Sequence, residues 1–378
     1  MNIIEHIAKW AIDTPEAKAL VYDRNKHVTY AELLRMIHGA AGILNKHPTG
    51  SHVGFLMKDN VYQVAMRLAS MQVGVIAVPL TARVPKAEFD KRAALFSFET
   101  IYADAEYAEH LNGYHVTRID DFESSVIQHS SSEYRSNNND RMSMAWSGGT
   151  TGTPSGFYYS HNSMESLAVQ HNNQWSGVTG SMVYYPVVPQ FGGAFVMYLI
   201  IALTHGHAIV VESRAFTPNV VAENIINHGV THIMATAPVF HTMLRKQVLP
   251  KQNVPRQCIA SADAVSTKVQ KEWQEYYDSK LTVLFAASQM GGFSEQLEHH
   301  PLESVGSQWP GYDVRLLDDE GNEVPDDCAG QLWIKGAGCA VGDITVDGST
   351  NLNSDGFITT GDMLIRKNGI YFLSLIHI

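Results

Sequence analysis

The chain has 378 residues, of which 45% are hydrophobic and 17% charged, and this balance excludes a disordered or fibrous protein. It carries 27 basic and 38 acidic side chains, so its net charge of −11 argues against a nucleic-acid partner. The longest apolar run, residues 194–203, is too short to span a membrane. The sequence shows neither a signal peptide nor a CxxC pair, so a soluble cytoplasmic protein is expected.

The first strand–helix–strand unit is predicted between residues 53 and 79. Segments 53–57 and 75–79 have the apolar runs of buried strands, and the helix between them ends near Gly74. Upstream of this unit, Thr29 and Glu32 have the spacing of a capping box, and apolar residues follow at helical period. Alternation of this kind is typical of a parallel sheet covered by helices.

Two more such units are predicted at residues 208–235 and 257–285, with Thr217 and Ser266 as the residues that cap their helices. After residue 300 the pattern changes to short strands separated by turn signals such as Asn-Gly, which indicates a small antiparallel β subdomain. The expected fold class is therefore α/β, with two mostly parallel sheets covered by helices and an antiparallel β subdomain.

The most specific signal for chemistry is a loop of small residues that follows a strand candidate at 142–146. It reads Ser147-Gly148-Gly149-Thr150-Thr151-Gly152-Thr153-Pro154-Ser155-Gly156. Small residues let the backbone approach a bulky anion, and free N–H groups and threonine hydroxyls donate hydrogen bonds to phosphate oxygens. The loop is not a Walker A motif, because no Gly-Lys-Ser/Thr follows. On composition alone, a flexible loop without a ligand is an equal alternative.

The loop resembles the phosphate loop of the adenylate-forming superfamily, which includes acyl-CoA synthetases, luciferases and the adenylation domains of peptide synthetases. The superfamily pattern, Thr-Ser-Gly-Thr-Thr-Gly-x-Pro-Lys-Gly, matches at residues 149–152, at Pro154 and at Gly156. Ser155 stands where the superfamily usually has lysine, so one cation that would face the phosphates is missing. The resemblance implies a set of ATP-binding residues, with Thr151 also near Mg²⁺: Ser147, Gly149, Thr150, Thr151, Gly152 and Ser155.

Two further superfamily motifs follow in the same order along the chain. Residues 260–266 resemble Ser-Gly-Ala-x-Pro-Leu-Ser, which implies that Ser261 and Ala262 border the adenine. The tripeptide ending at Asp362 matches Thr-Gly-Asp, in which the aspartate accepts hydrogen bonds from the ribose hydroxyls. Alone, this tripeptide would indicate only a surface turn, but its order and spacing favour the ribose-binding role.

A third motif departs further from the superfamily, because residues 285–289 stand in place of Tyr-Gly-x-Thr-Glu. The resemblance implies that Phe285 packs against the adenine and that Ser288 donates to a phosphate. Gln289 replaces a glutamate that helps to hold Mg²⁺, and an amide oxygen is a much weaker ligand for this ion than a carboxylate.

The resemblance covers residues 1–372 and implies one AMP-binding N-terminal domain, with an α/β part over 1–300 and a β-rich part over 301–372. Residues 373–378 resemble translated adapter sequence and are expected to be a non-native tail, a genuine short variant being the alternative. The C-terminal lid domain, which in the superfamily carries the catalytic lysine, is expected to be absent, so no catalytic residue is assigned.

The resemblance is strongest to bacterial acyl-CoA ligases and implies a two-step reaction that uses ATP, Mg²⁺ and coenzyme A. A carboxylic acid reacts with ATP to give an acyl-adenylate and pyrophosphate, and the thiol of coenzyme A then displaces AMP. Amino-acid-activating members carry an aspartate near residues 185–190, and none stands there, so an acid without an α-amino group, such as a fatty acid, fits better. Two alternatives stay open, namely loading of a carrier-protein thiol and, because of Ser155 and Gln289, a nucleotide-binding pseudoenzyme.

Overall fold

The computed structural model describes residues 1–119, 122, 130–131, 133–146, 155–174, 181–345 and 348–374. The helices in these ranges are α1 Ile3–Asp13, α2 Tyr30–Leu44, α3 Val61–Val73, α4 Lys86–Ala93, α5 His161–Gln174, α6 Gly193–Thr204, α7 Pro218–His228, α8 Ala237–Lys246 and α9 Thr267–Tyr277, with short 3₁₀ turns at Ala105–Leu111 and Lys251–Asn253. The strands are β1 Lys18–Tyr22, β2 Lys26–Thr29, β3 His52–Leu56, β4 Ile76–Pro79, β5 Ile101–Ala103, β6 Val116–Arg118, β7 Arg141–Trp146, β8 Ser155–Ser160, β9 Val183–Pro186, β10 Ala208–Val210, β11 His232–Ala235, β12 Gln257–Ala260, β13 Leu281–Ala287, β14 Gly291–Glu295, β15 Gly306–Gln308, β16 Tyr312–Leu317, β17 Ala329–Gly336, β18 Gly342–Thr345, β19 Ile358–Lys367 and β20 Ile370–Leu373.

The larger of the two sheets has 13 strands in the order β16-β17-β19-β20-β15-β14-β13-β12-β11-β9-β10-β1-β2. From β1 to β13 in this order, neighbouring strands run parallel, as the predicted strand–helix–strand units require. Beyond β13 they run antiparallel, and Asn368-Gly369 forms the turn between β19 and β20. The antiparallel strands expected after residue 300 are present, and they extend the large sheet.

The smaller sheet has 7 strands in the order β18-β8-β7-β4-β3-β5-β6. Its strands from β7 to β6 run parallel, while β8 and β18 add an antiparallel edge. Because β17 and β19 belong to the large sheet and β18 to the small one, the chain crosses between the sheets and returns. Two sheets with helices on their faces confirm the predicted α/β class.

Two helices are almost completely enclosed by the rest of the chain. Every residue of α3 except Tyr62 is buried, and α6 is buried from Phe195 to Thr204. A helix with this pattern of burial belongs to the interior of the protein, and α6 has only 12 residues. In the described ranges, no helix combines the length and apolar character that a membrane crossing requires.

The predicted capping box begins α2. The Thr29 hydroxyl accepts a hydrogen bond from the Glu32 N–H at 3.2 Å, and the Glu32 carboxylate accepts one from the Thr29 N–H at 2.8 Å. Thr29→Ala removes one of these acceptors and is expected to lower the free energy of unfolding by about 1 kcal/mol. Urea unfolding measures this change against Thr49→Ala, an exposed threonine outside any helix, and equal losses in the two variants would contradict the capping role.

Candidate active site

A cavity of about 560 Å³ lies at the carboxyl ends of the parallel strands β11, β12 and β13. Helices α5 and α6, strand β8 and the first half of β19 form further parts of the described walls. Parallel α/β sheets bind ligands outside the carboxyl ends of their strands, because the connecting loops leave a crevice there. The cavity therefore lies where this architecture favours a binding site.

Ser261 and Ala262, predicted at the adenine edge, line this cavity directly after β12. The Ser261 N–H donates to the Ala235 carbonyl at 3.1 Å, which continues the parallel pairing of β11 and β12 beyond the strand. Ala262 has a φ of +66°, in the left-handed region that costs a residue with a Cβ about 1 kcal/mol. Non-glycine residues held in this region cluster at functional sites.

Ala262→Gly is expected to raise the free energy of unfolding by about 0.5–1 kcal/mol, because glycine adopts a positive φ without the steric cost of a Cβ. Urea unfolding of the variant measures the change. Ala264→Gly is the matched control, since Ala264 is exposed in the same loop without a positive φ, and it is expected to be neutral or destabilising. A loss of stability in Ala262→Gly would contradict the strain at this position.

The turn between β13 and β14 brings Ser288 and Gln289 to the cavity. The Ser288 hydroxyl donates to the Trp146 carbonyl at 2.9 Å, and its own carbonyl accepts a hydrogen bond from the Tyr159 hydroxyl at 2.7 Å. The carbonyl of Gln289 accepts from the Ala340 N–H at 2.8 Å. Ser288 is thus tied to the residue that immediately precedes the predicted phosphate loop, and its donation to a phosphate remains a prediction.

Phe285 belongs to the same motif but does not line the cavity. Leu284, Ala286 and Ala287 line it, and a register shift between Phe285 and Ala286 interrupts the alternation of side chains along β13. The Phe285 ring packs edge-on against Phe293, with 6.1 Å between ring centroids. Its contact with adenine remains a prediction.

Asp362 reaches the cavity through a bulge in β19. Thr359 pairs with Trp333 and Met363 with Gln331, so three residues of β19, including Asp362, lie opposite one residue of β17. Gly361 has a φ of +80°, which glycine adopts without strain, and its N–H donates to the Thr359 hydroxyl at 3.1 Å. A bulge of this kind turns side chains out of the strand's normal alternation.

Burial raises the pKa of the Asp362 carboxyl above its usual value of 3.8, while a hydrogen bond with the Thr360 side chain acts in the opposite direction. Apart from two tyrosines, Asp362 is the only described lining residue with an ionisable side chain. It is therefore the anionic hydrogen-bond acceptor of the described cavity, a role that suits a pair of ligand hydroxyl groups.

The predicted phosphate loop lies largely outside the described residues, which leaves the roles of these five residues as predictions: Ser147, Gly149, Thr150, Thr151 and Gly152. Its two flanks are described. Trp146 pairs with Gly156 across β7 and β8, and Trp146 Nε1 donates to the Pro79 carbonyl at 2.8 Å. Ser155 lines the cavity. The loop therefore begins after Trp146, which is hydrogen-bonded to Ser288, and ends before Ser155, which lines the cavity.

Several cavity residues were not predicted from the sequence. Phe157 and Tyr159 lie two and four residues after Ser155 on β8 and face the cavity with it. The alternation of side chains along a strand would have predicted both of them from the position of Ser155. Met197 on α6 and Met234 on β11 had no such signal, because their segments are buried on every side. Only the packing of separate elements identifies these two as part of a wall.

The described residues were also tested as a magnesium site. They contain no group of three or more histidine, cysteine, aspartate or glutamate side chains placed to hold a metal ion. Of the predicted site residues that line the described cavity, only Gln289 and Asp362 have side-chain oxygen atoms that are not hydroxyls, namely an amide and a carboxylate. Mg²⁺ prefers carboxylate and phosphate oxygens, so these residues do not form a magnesium site by themselves.

Comparison with known proteins agrees with this geometry. The chain is 23% identical to 4-coumarate–CoA ligase-like 4 of Oryza sativa subsp. japonica, over 92% of this chain and 70% of the rice protein. It is 24% identical to the hybrid PKS-NRPS synthetase buaA of Petromyces alliaceus, over 89% of this chain but only 9% of buaA. ATP-bound MatB from Rhodopseudomonas palustris has the same fold, with a TM-score of 0.88 at 18% identity, over 99% of this chain and 78% of MatB.

The model of the AMP-binding enzyme family matches residues 7–342, which include the predicted phosphate loop, the adenine-edge segment and most of both sheets. The match extends over far more than half of the chain. Together with the order of the motifs and the cavity that three of them share, it shows that the chain belongs to the AMP-binding enzyme family of adenylating ligases.

Proposed function

We propose that the chain binds ATP and a carboxylic acid in this cavity and joins them into an acyl-adenylate, which then transfers its acyl group to coenzyme A. In the first step a carboxylate oxygen attacks the α-phosphorus of ATP, and the bond to the bridging oxygen breaks to release pyrophosphate. In the second step the thiolate sulfur attacks the acyl carbon, and AMP leaves. The first step needs alignment of the reactants and neutralisation of charge more than a protein nucleophile.

The observation that carries this proposal is the convergence of three distant segments on one cavity. Ser261 and Ala262, Ser288 and Gln289, and Asp362 are far apart in sequence, and all five line the same space. In the proposed complex, Asp362 accepts hydrogen bonds from the ribose hydroxyls, and the backbone at Ser261 borders the adenine. The phosphates then extend toward the loop between Trp146 and Ser155.

The test measures binding and chemistry separately. Isothermal titration of the 378-residue chain with AMP and ATP is expected to show one site. ATP–pyrophosphate exchange is then measured for the chain alone and for a fusion protein. The fusion adds to the chain the part of MatB that the structural match does not cover. Acid-dependent exchange in the fusion is expected, because in the superfamily the catalytic lysine lies in the C-terminal part. Nucleotide binding without exchange in either protein would favour the pseudoenzyme, and no binding would contradict the proposal.

Loading of a carrier-protein thiol is the second candidate, and the match to part of a hybrid PKS-NRPS synthetase favours it. Both candidates share the acyl-adenylate and differ only in the thiol that accepts the acyl group. Single-turnover transfer from the preformed acyl-adenylate to coenzyme A or to a phosphopantetheinylated carrier protein distinguishes them. Faster transfer to coenzyme A is expected under the first candidate.

Gln289→Glu is expected to strengthen the dependence of ATP binding on Mg²⁺, because a carboxylate oxygen suits this cation better than an amide oxygen. The measurement compares the ATP dissociation constant with and without Mg²⁺ in both proteins, and we expect the ratio to rise severalfold in the variant. Gln331→Glu is the matched control, since Gln331 also lines the cavity but lies on β17, across from β19. Equal magnesium effects in Gln289→Glu and the unchanged chain would remove Gln289 from the metal position.

A further inference from the structure

The cavity has an apolar part formed by long, unbranched or γ-branched side chains from four different elements. A Cβ built on Gly291 would lie 2.9 Å from Leu167 and 3.2 Å from the sulfur of Met197, so α5 and α6 meet over this glycine. The residues of this apolar lining are Met164, Leu167, Met197, Met234 and Leu284. Each of them is buried, and none can donate or accept a strong hydrogen bond.

No basic side chain lines the cavity in the part of the chain that the structure describes. The sequence extends this observation, because none of the residues outside the described ranges is lysine or arginine. Neither the described walls nor the residues of these 378 that lie outside the described ranges therefore supply a lysine or arginine to the acyl group. Asp362, the charged group of the described lining, is an anion.

The groups next to the apolar lining do not supply a cation either. The rings of His171 and Tyr198 pack edge-on, with 5.5 Å between centroids, and Tyr198 lines the cavity. Burial, together with His232 and His205, holds the pKa of His171 well below 6.5, so this histidine is neutral at neutral pH.

We propose that the acid activated by this chain has a single carboxylate on an uncharged, apolar acyl group that occupies the methionine-lined part of the cavity. This inference rests on the proposed function and narrows its substrate class. Acids with a second carboxylate are excluded by the same lining, because an anion transferred into an apolar site without a partner loses its hydration and gains nothing in return.

The test uses stable mimics of the acyl-adenylate, so that it does not depend on turnover. Four 5′-O-(N-acylsulfamoyl)adenosines form two matched pairs: hexanoyl with 5-carboxypentanoyl, and benzoyl with 4-carboxybenzoyl. Isothermal titration of the 378-residue chain gives their dissociation constants beside that of AMP. We expect each uncharged mimic to bind more tightly than AMP and about 100-fold more tightly than its carboxylated partner.

A substitution that adds a cation to the lining tests the cause of this preference. Met197→Lys replaces one unbranched side chain by another of similar length and is expected to reduce the ratio within each pair at least tenfold. Met197→Gln is the matched control, because it adds polarity without charge, and it is expected to leave the ratio nearly unchanged. Met234→Lys repeats the test on a strand if Met197→Lys does not fold, as judged by its unfolding transition.

The outcomes separate this inference from the function on which it rests. A ratio below tenfold within both pairs, with AMP still bound, overturns the substrate class and leaves nucleotide binding intact. Uncharged mimics that bind no better than AMP have the same consequence, because the acyl group would then lie outside the cavity. If AMP and all four mimics fail to bind, the proposed function and the inference both fall.

Discussion

Replacing Asp362 with alanine is expected to weaken the binding of ATP and AMP by about 1.5–3 kcal/mol, which is roughly 10- to 150-fold in the dissociation constant. The bulge of β19 holds this carboxylate at the cavity, and it is the anionic acceptor of the described lining. Hydrogen bonds to an ionised group are stronger than those between neutral groups, so removal of the carboxylate affects affinity more than removal of a hydroxyl.

Isothermal titration with AMP measures this effect without any contribution from turnover. Asp362→Asn keeps the shape of the side chain but removes its charge, and it is expected to lose part of the affinity. Asp355→Ala is the matched control, because Asp355 is exposed in the turn before β19 and does not line the cavity. An unchanged dissociation constant in Asp362→Ala, or an equal loss in Asp355→Ala, would remove Asp362 from the nucleotide site.

A fall in stability between about pH 6.5 and pH 4 is the second large expected effect. Burial lowers the pKa of His161 from 6.5 to about 4, and burial, with smaller contributions from His207 and Arg256, does the same for His232. These two side chains are only 2% and 1% exposed. Both histidines are therefore neutral in the folded chain over a pH range in which the same side chains bind protons in the unfolded chain.

The sign of the effect follows from linkage between proton binding and folding. Well above pH 6.5 neither state protonates these histidines, and the stability is fully present. As the pH falls from 6.5 toward 4, the unfolded state binds more protons than the folded state, so the free energy of unfolding decreases. With folded pKa values near 4, each histidine contributes a loss of about 2 kcal/mol by pH 4.5.

Urea unfolding at pH 7 and pH 4.5 measures this loss for the unchanged chain and for His161→Gln and His232→Gln. Each substitution is expected to reduce the difference between the two pH values by about 2 kcal/mol, because glutamine does not titrate. His27→Gln is the matched control at an exposed position and is expected to leave the difference unchanged. The same difference in all four proteins would show that these buried histidines do not determine the acid sensitivity.

Local signals in the sequence predicted the elements that depend on neighbouring residues alone. The start of α7 follows from Thr217, which caps it in the structure as predicted, and the helix ends at Gly229 in the left-handed conformation. The Thr29–Glu32 capping box likewise needs only residues three positions apart. A cap, a turn and the period of a strand or helix are fixed within a few residues, so the sequence contains the whole of their physical cause.

The geometry of the candidate site depends on contacts that the sequence does not specify locally. The motif ending in Asp362 indicated a ribose acceptor, but the bulge that turns it toward the cavity results from the register between β19 and β17. The position of Phe285 shows the same limit, since a register shift in β13 beside this residue decides which side chains face the cavity. A shift of one residue in register moves side chains to the opposite face, and no local pattern reveals it.

The sequence by itself determined the α/β class, the caps and turns, the order of the binding motifs and the absence of lysine and arginine from the segments outside the described structure. Tertiary structure alone decided that β18 joins the small sheet, that Met197 and Met234 form an apolar wall, and that Ser261, Ser288 and Asp362 share one cavity. The physical reason is the range of the interactions. Caps and periodicity act between neighbours in the chain, whereas a cavity is the space left when helices and strands that are distant in sequence pack against one another.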